Sequence, residues 1–161
     1  MVLAVTAYLA PMNPIPLLHA TRKNIRGLLL AHTPEQMNTL PEGFNNNLIW
    51  NAGHVIATCE LLTYALSGQR TPSGKEFINR YRKGTRPEGT VGQEEIDYIA
   101  RELLEGVDRL ERAVGQGSFT TFKPYQTSFG VELQSIEDAL SFNTMHEAMH
   151  LGTMLGIRKL V

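Results

Sequence analysis

The sequence predicts an all-α protein, a four-helix bundle with long connecting loops, on three observations. Four long segments place apolar residues at helical spacing, so each has a face to bury against the others. Two of the connections exceed an ordinary bundle loop, which allows departure from plain up-and-down order. The 161 residues, 42% of them hydrophobic, suffice for one core and show no internal repeat, so residues 1–161 are read as a single domain.

The first helix follows the prolines of PIPLL, carries Leu17, Leu18, Ile25, Leu28 and Leu29 at helical spacing, and is expected to end near Ala31. Thr33 followed by Pro34, Glu35 and Gln36 has the residues of an N-cap, so a short helical turn is expected there. The second long helix begins after Asn45, Asn46 and Asn47 and stops at Gly68, a C-cap candidate. Its Leu48, Ala52, Val55, Cys59, Leu62 and Leu66 define one apolar stripe, and His54 lies beside it.

RTPSGKEFINRYRKGTRPEGT, dense in basic residues, Gly and Pro, reads as a long connection with a short helix around Phe77 to Tyr81. A lid near an active site and a solvated crossover both fit it. The third long helix, about Gly92 to Val114, sets Ile96, Ile99, Leu103, Val107, Leu110 and Val114 on one side. Pairs from Glu105 to Arg109 and from Asp108 to Arg112 would each add only about 0.2–0.5 kcal/mol. With neither His nor Cys, this helix reads as scaffold. SFTTFKPYQTSFGVEL then has the residues of an irregular segment with a brief extended stretch. Ser135, with Asp138 three positions on, resembles an acidic capping box and opens a last helix from Ile136 to about Lys159.

Charge and composition narrow the partners. Fifteen basic against sixteen acidic residues give a formal charge of −1, without a basic tract dense enough for a nucleic-acid groove, so no nucleic-acid partner is expected. The apolar start, MVLAVTAYLAPMNPIP, lacks the Lys or Arg of a charged leader and falls short of the ~20 residues that cross a bilayer. The expectations are therefore no membrane segment, a cytoplasmic location, and an N-terminal arm over residues 1–14 that packs on the domain or on a second subunit. The single Cys59 has no intrachain partner, which suits a reducing compartment.

The chemistry concentrates in TMHEAMHLG, residues 144–152, which contains the H-E-x-x-H signature of zinc peptidases. Helical positions rotate by about 100°, so His146 and His150 point about 40° apart and can aim two imidazoles at one ion. A catalytic site normally needs three protein ligands and an open position. In the zinc-peptidase plan the third follows the motif, but LGTMLGIRKLV holds no His, Asp, Glu or Cys. A di-iron carboxylate bundle would need a second E-x-x-H pair, and none is present. The third ligand is therefore expected upstream. His54, mid-helix at the edge of an apolar stripe, is the first candidate, ahead of His19 and His32; its alternative is a hydrogen-bonded core histidine.

LIWNAGHVIATCELL and SIEDALSFNTMHEAMHLGTMLGIRKL resemble the paired metal-site segments of the DinB-like (damage-inducible) superfamily of four-helix bundles, and the resemblance runs from about Ile15 to the end. In that family one His comes from the second helix and an H-x-x-x-H pair from the fourth. The resemblance makes His54, His146 and His150 the metal ligands and Gly152 the glycine after the pair. It implies a divalent metal, Zn or Ni first with Fe also accommodated by imidazole, and a homodimer. It also implies, from its transferase members, a low-molecular-weight thiol acting on a small electrophilic substrate. The expected function is thus a metal-dependent thiol S-transferase. A metal-dependent hydrolase that activates water, and a noncatalytic metal-stabilised binding protein, are the alternatives.

Around this set, Glu147 is the nearest candidate for a general base, with a hydrogen bond elsewhere in the site as its other role. Asn143, three positions before His146, can hold a ligand or substrate or cap a polar pocket. Trp50 can wall the pocket or simply pack, and Cys59 reads as a small core residue. Met145, Met149 and Met154 read as core filler. Gly152 and Gly156 can admit a close neighbouring helix. Arg82, Lys83 and Arg86 in the long connection can attract an acidic cofactor or a carboxylated substrate, or be a hydrated charged loop.

Overall fold

The computed structural model describes residues 13–161, so all but the last two residues of the expected N-terminal arm lie outside the described residues. The chain order is α1 (Ile15–Leu30), α2 (Pro34–Asn38), α3 (Leu48–Glu60), α4 (Gly74–Tyr81), α5 (Gln93–Gly115), β1 (Tyr125–Gln126), β2 (Glu132–Leu133) and α6 (Ile136–Ile157). The four long helices form the bundle. α1 and α3 each pack against both α5 and α6, so α1 lies diagonal to α3 and α5 diagonal to α6.

The helix starts follow their capping residues. Asn47 Oδ1 accepts from the Trp50 backbone N–H at 2.9 Å and opens α3. Thr33 and Gln36 complete the reciprocal capping box of α2. Ser135 Oγ accepts from the Asp138 N–H, but the Asp138 carboxylate reaches Gln134 N–H rather than the cap residue's own. The brief extended stretch is the antiparallel pair β1 and β2, with Tyr125 opposite Leu133.

α3 departs from the single-stripe expectation. Every residue from Leu48 to Ala57 is buried, because α2 and α4 pack on the side of α3 that the bundle leaves uncovered. Its C-terminal end also loosens into a π-helical turn, Leu61–Ala65, with Leu66 N–H donating to Leu61 C=O, before Gly68 ends the run at φ +74°. On α5 the expected apolar face is buried from Ile96 to Leu110, with Val114 half-buried. The ion pairs are different ones: Arg109 joins Glu102 at 3.1 Å and Arg101 joins Glu105 at 3.6 Å. Glu102, almost fully buried, attracts Arg109 more strongly than an exposed Glu105 does.

Arg22 on α1 and Glu147 on α6 cross the interior between two apolar regions, one around Ile25, Val55, Leu103 and Met154, the other around Leu18, Cys59, Val107 and Leu140. Two expectations about α6 are corrected. Met145 and Met149 are exposed and only Met154 fills core; Gly152 and Gly156 face open space, so they serve no close helix crossing here.

Candidate metal centre

Where α3 meets α6, His54, His146 and His150 gather with one ligand nitrogen from each within 4.8 Å of the others. Ring centroids are 5.2 Å apart for His54 and His146, 4.7 Å for His54 and His150, and 4.6 Å for His146 and His150. The two α6 rings come together because they are one helical turn apart; His54 joins them because α3 and α6 are neighbours.

Two of the three tautomers are set by oxygen atoms that can only accept. His54 Nδ1–H donates to the Tyr81 carbonyl at 2.6 Å, which leaves Nε2 with its lone pair; Thr58 Oγ1 lies 3.2 Å from it. His150 Nδ1–H donates to Asn51 Oδ1 at 2.8 Å, and Asn51 is oriented by its own amide donating to Asn47 C=O at 2.7 Å. Imidazoles that ligate metals are held in this way, through the other ring nitrogen. His146 Nδ1 is buried and has no hydrogen-bond partner. Trp50 stacks on His54 at 4.7 Å and 11°, and Phe142 lies 6.2 Å from His146.

The imidazoles are neutral. Burial and the neighbouring histidines lower His146 to about 3 and His150 to about 4, and burial lowers His54 as well. In the unfolded chain these groups titrate near 6.5. Their contribution to metal-free stability is complete above that value and is lost as pH falls toward 4 and 3. Glu147 and Glu60, whose carboxyls burial raises, act in the opposite sense. Thermal unfolding of the metal-free wild type between pH 7.5 and 4.5 should therefore fall more steeply than that of His146→Gln; equal slopes would contradict neutral burial.

Neither expected catalytic side chain lines the cavity that opens onto this cluster. Glu147 is fully buried and turned toward α1, where Arg22 Nε and Nη2 donate to its oxygens at 2.8–3.1 Å. The reason is angular: one helical step rotates Glu147 by about 100° from His146 and aims it across the bundle. A carboxylate with both oxygens on a guanidinium is not placed to take a proton at the imidazoles. Asn143 is also fully buried; its amide donates to Ala139 C=O on its own helix at 2.9 Å, and it does not wall the cavity below. Of the other histidines, His32 bonds Leu28 C=O, and His19 faces Asp108 and Glu111 on α5. Cys59 is a core residue whose thiol burial pushes up to about 12, which removes it as a nucleophile.

A cavity of about 540 Å³ opens onto the three rings. Leu61, Leu62 and Ala65 of the π-helical turn wall it together with Phe129, Phe142 and Met149, with Lys83 and Lys123 as its cations. π-helical turns are concentrated at functional sites. Here the turn brings consecutive apolar residues onto the wall beside His54.

Asn51 and the Tyr81 carbonyl went unread in the sequence. Asn51 had a signal, a polar residue three positions before His54 and so on the same helical face; a backbone carbonyl has none. Gly53 is tied to the same contact. A Cβ built there lies 2.5–2.7 Å from the Tyr81 ring, whose hydroxyl donates to Glu95 at 2.7 Å. Gly53→Ala should displace Tyr81 and cost about 1–3 kcal/mol, seen as a lower midpoint in urea; an unchanged midpoint would show that the ring yields freely.

Bundle and site together define a helical protein with a three-histidine cluster between two adjacent helices and an apolar cavity upon it. The chain belongs to the DinB superfamily, whose family model matches residues 17–154. It is similar in fold to the conserved protein of a locus from Enterococcus faecalis, with 16% identity, a TM-score of 0.55, and coverage of 92% of this chain and 94% of that one. Comparison with curated proteins gives no match. Among the described residues no helix is long and apolar enough to cross a membrane.

Proposed function

We propose that the chain binds one divalent metal ion through His54, His146 and His150 and acts with it on a small, largely apolar electrophile in the adjoining cavity, as a metal-dependent thiol S-transferase. The observation that carries this reading is the pair of fixed tautomers together with the orphaned nitrogen. One ligand nitrogen from each of the three imidazoles lies within 4.8 Å of the others, two of the rings are oriented through Nδ1, and His146 Nδ1 is buried without a partner, which costs about 1–3 kcal/mol unless something bonds to it. Three neutral donors fit Zn, Ni or Fe equally in kind. When bound, the ion would supply a Lewis acid of undiminished double charge, able to lower the pKa of a thiol or a water.

The chain's own contributions are positional. Tyr81 and Asn51 orient two of the rings, and Trp50 and Phe142 flank the cluster. The wall from Leu61 to Ala65 excludes water from one side of a bound molecule. Only three ligand groups gather at this point among the described residues, which favours an open centre over a closed structural site. Glu147 in this reading is a tie between α6 and α1, not a base. Glu147→Gln should keep the metal at about one per chain while lowering thermal stability; loss of the metal would return Glu147 to the site.

The test is metal analysis of protein purified without an affinity tag, followed by a panel pairing low-molecular-weight thiols with small electrophiles, and esters and amides with water. About one metal per chain and thiol-dependent turnover support the proposal; turnover of the esters or amides alone would favour the hydrolase. We also propose the homodimer through the outer face of α6, where Met145 and Leu155 are exposed. Light scattering should then give twice the chain mass.

A further inference from the structure

The apolar cavity has a neighbour at the histidine cluster. Adjoining it is a second cleft of about 670 Å³, built from the segments before α3 and after α4. His54, His150 and Lys83 line both spaces, so the two meet at the rings. Each is within the range of small-molecule sites, about 300–1,000 Å³. A single ligand confined to one would leave the other open to solvent.

The two spaces differ in chemistry. The apolar cavity is walled by Leu, Phe and Met side chains. The second cleft is lined by Asn45, Asn46, Thr85 and Arg86 as well as Lys83, with Trp50 against His54 and Glu88 as its one acid. Among the described residues neither Lys83 nor Arg86 forms an ion pair, although carboxylates elsewhere on the chain take Arg22, Arg80, Arg101 and Arg109. Two unpaired cations against one acid suit a hydrophilic molecule that carries a negative charge. The Arg86 guanidinium can meet a carboxylate or phosphate with two parallel N–H bonds.

We propose that this cleft is a second ligand subsite: Lys83 and Arg86 hold a hydrophilic anion while a separate apolar molecule occupies the adjoining cavity, with His54 and His150 shared between them. The pair would be presented to one another at the imidazoles, as a two-substrate reaction needs. The inference rests on the proposed metal centre for its chemistry but not for its binding test.

Trp50 is the chain's single tryptophan and lines the second cleft, so its emission reports occupancy there. Succinate and inorganic phosphate serve as anion probes at constant ionic strength, and uncharged N-phenyl-1-naphthylamine as the apolar probe. The full chain is titrated metal-free and again with one equivalent of zinc. At least one anion should shift Trp50 emission saturably, the tighter of the two naming the anionic group, and naphthylamine affinity should be unchanged when that anion is saturating. The Lys83→Gln, Arg86→Gln double variant should weaken the anion about tenfold or more, and Phe129→Ala should weaken only the naphthylamine. Mutual displacement of the two probes, no response to either anion, or full anion affinity in the double variant would overturn the subsite. Zinc binding with no anion response refutes the subsite and spares the metal centre; the two-ligand result without zinc binding does the reverse.

Discussion

His146→Ala is expected to take metal content from about one per chain to well below stoichiometric, with affinity lower by about two orders of magnitude or more. The effect should exceed that of losing an outer partner, which typically costs about 10–100-fold. Asn51→Ala supplies that comparison, because it frees the His150 ring without removing a donor. Competition with a chromophoric chelator measures both. The ordering follows from geometry: His146 contributes a ligand nitrogen to the cluster, whereas Asn51 only turns one toward it. Equal losses, or full affinity in His146→Ala, would mean that the ion sits elsewhere.

Arg22→Met should produce the largest fall in stability of any single change considered. It leaves the Glu147 carboxylate buried without its counter-charge, and breaking a buried ion pair in this way costs about 3–5 kcal/mol. Domains have only about 5–15 kcal/mol in all, and at this size each kcal/mol moves Tm by about 2–4 °C. A drop on the order of 10 °C is therefore expected by circular dichroism. The double change to Arg22→Met with Glu147→Leu should recover much of it, since replacing both charges by apolar side chains removes the desolvation penalty. If the double variant is no better than Arg22→Met, the loss comes from packing and not from the orphaned charge. The pair also bears on function, because it pins α6 to α1 at the residue next to His146.

The parts of the fold that were legible in the sequence were those written in local periodicity and capping. The four long helices, the Thr33 and Ser135 starts and the turn at Gly68 all depend on neighbours along the chain, and all form where the pattern places them. The gathering of the three histidines was legible for a related reason: helical spacing aligns His146 with His150, and the place of His54 mid-helix at the edge of an apolar stripe singled it out, in line with the resemblance. What stayed hidden depends on neighbours in space. α3 reads as amphipathic, yet it is buried all round because α2 and α4 cover it, a packing that its own sequence does not record. Arg22 occupies a core position within the run Leu18, Arg22, Ile25, Leu29, and its burial makes sense only once Glu147 arrives from the far end of the chain. The same pairing corrects the reading of Glu147, whose place in H-E-x-x-H pointed to a base. The motif specifies adjacency in sequence, while function depends on the side of the helix, and here that side faces Arg22.

The central claim is that three imidazoles from two helices hold one ion. Zinc K-edge X-ray absorption on the zinc-loaded chain, compared with His54→Ala, tests it most directly. The expected spectrum shows three imidazole nitrogens at about 2.0–2.1 Å, one of them lost in the variant. A spectrum with a sulfur shell, or one that His54→Ala leaves unchanged, would contradict it.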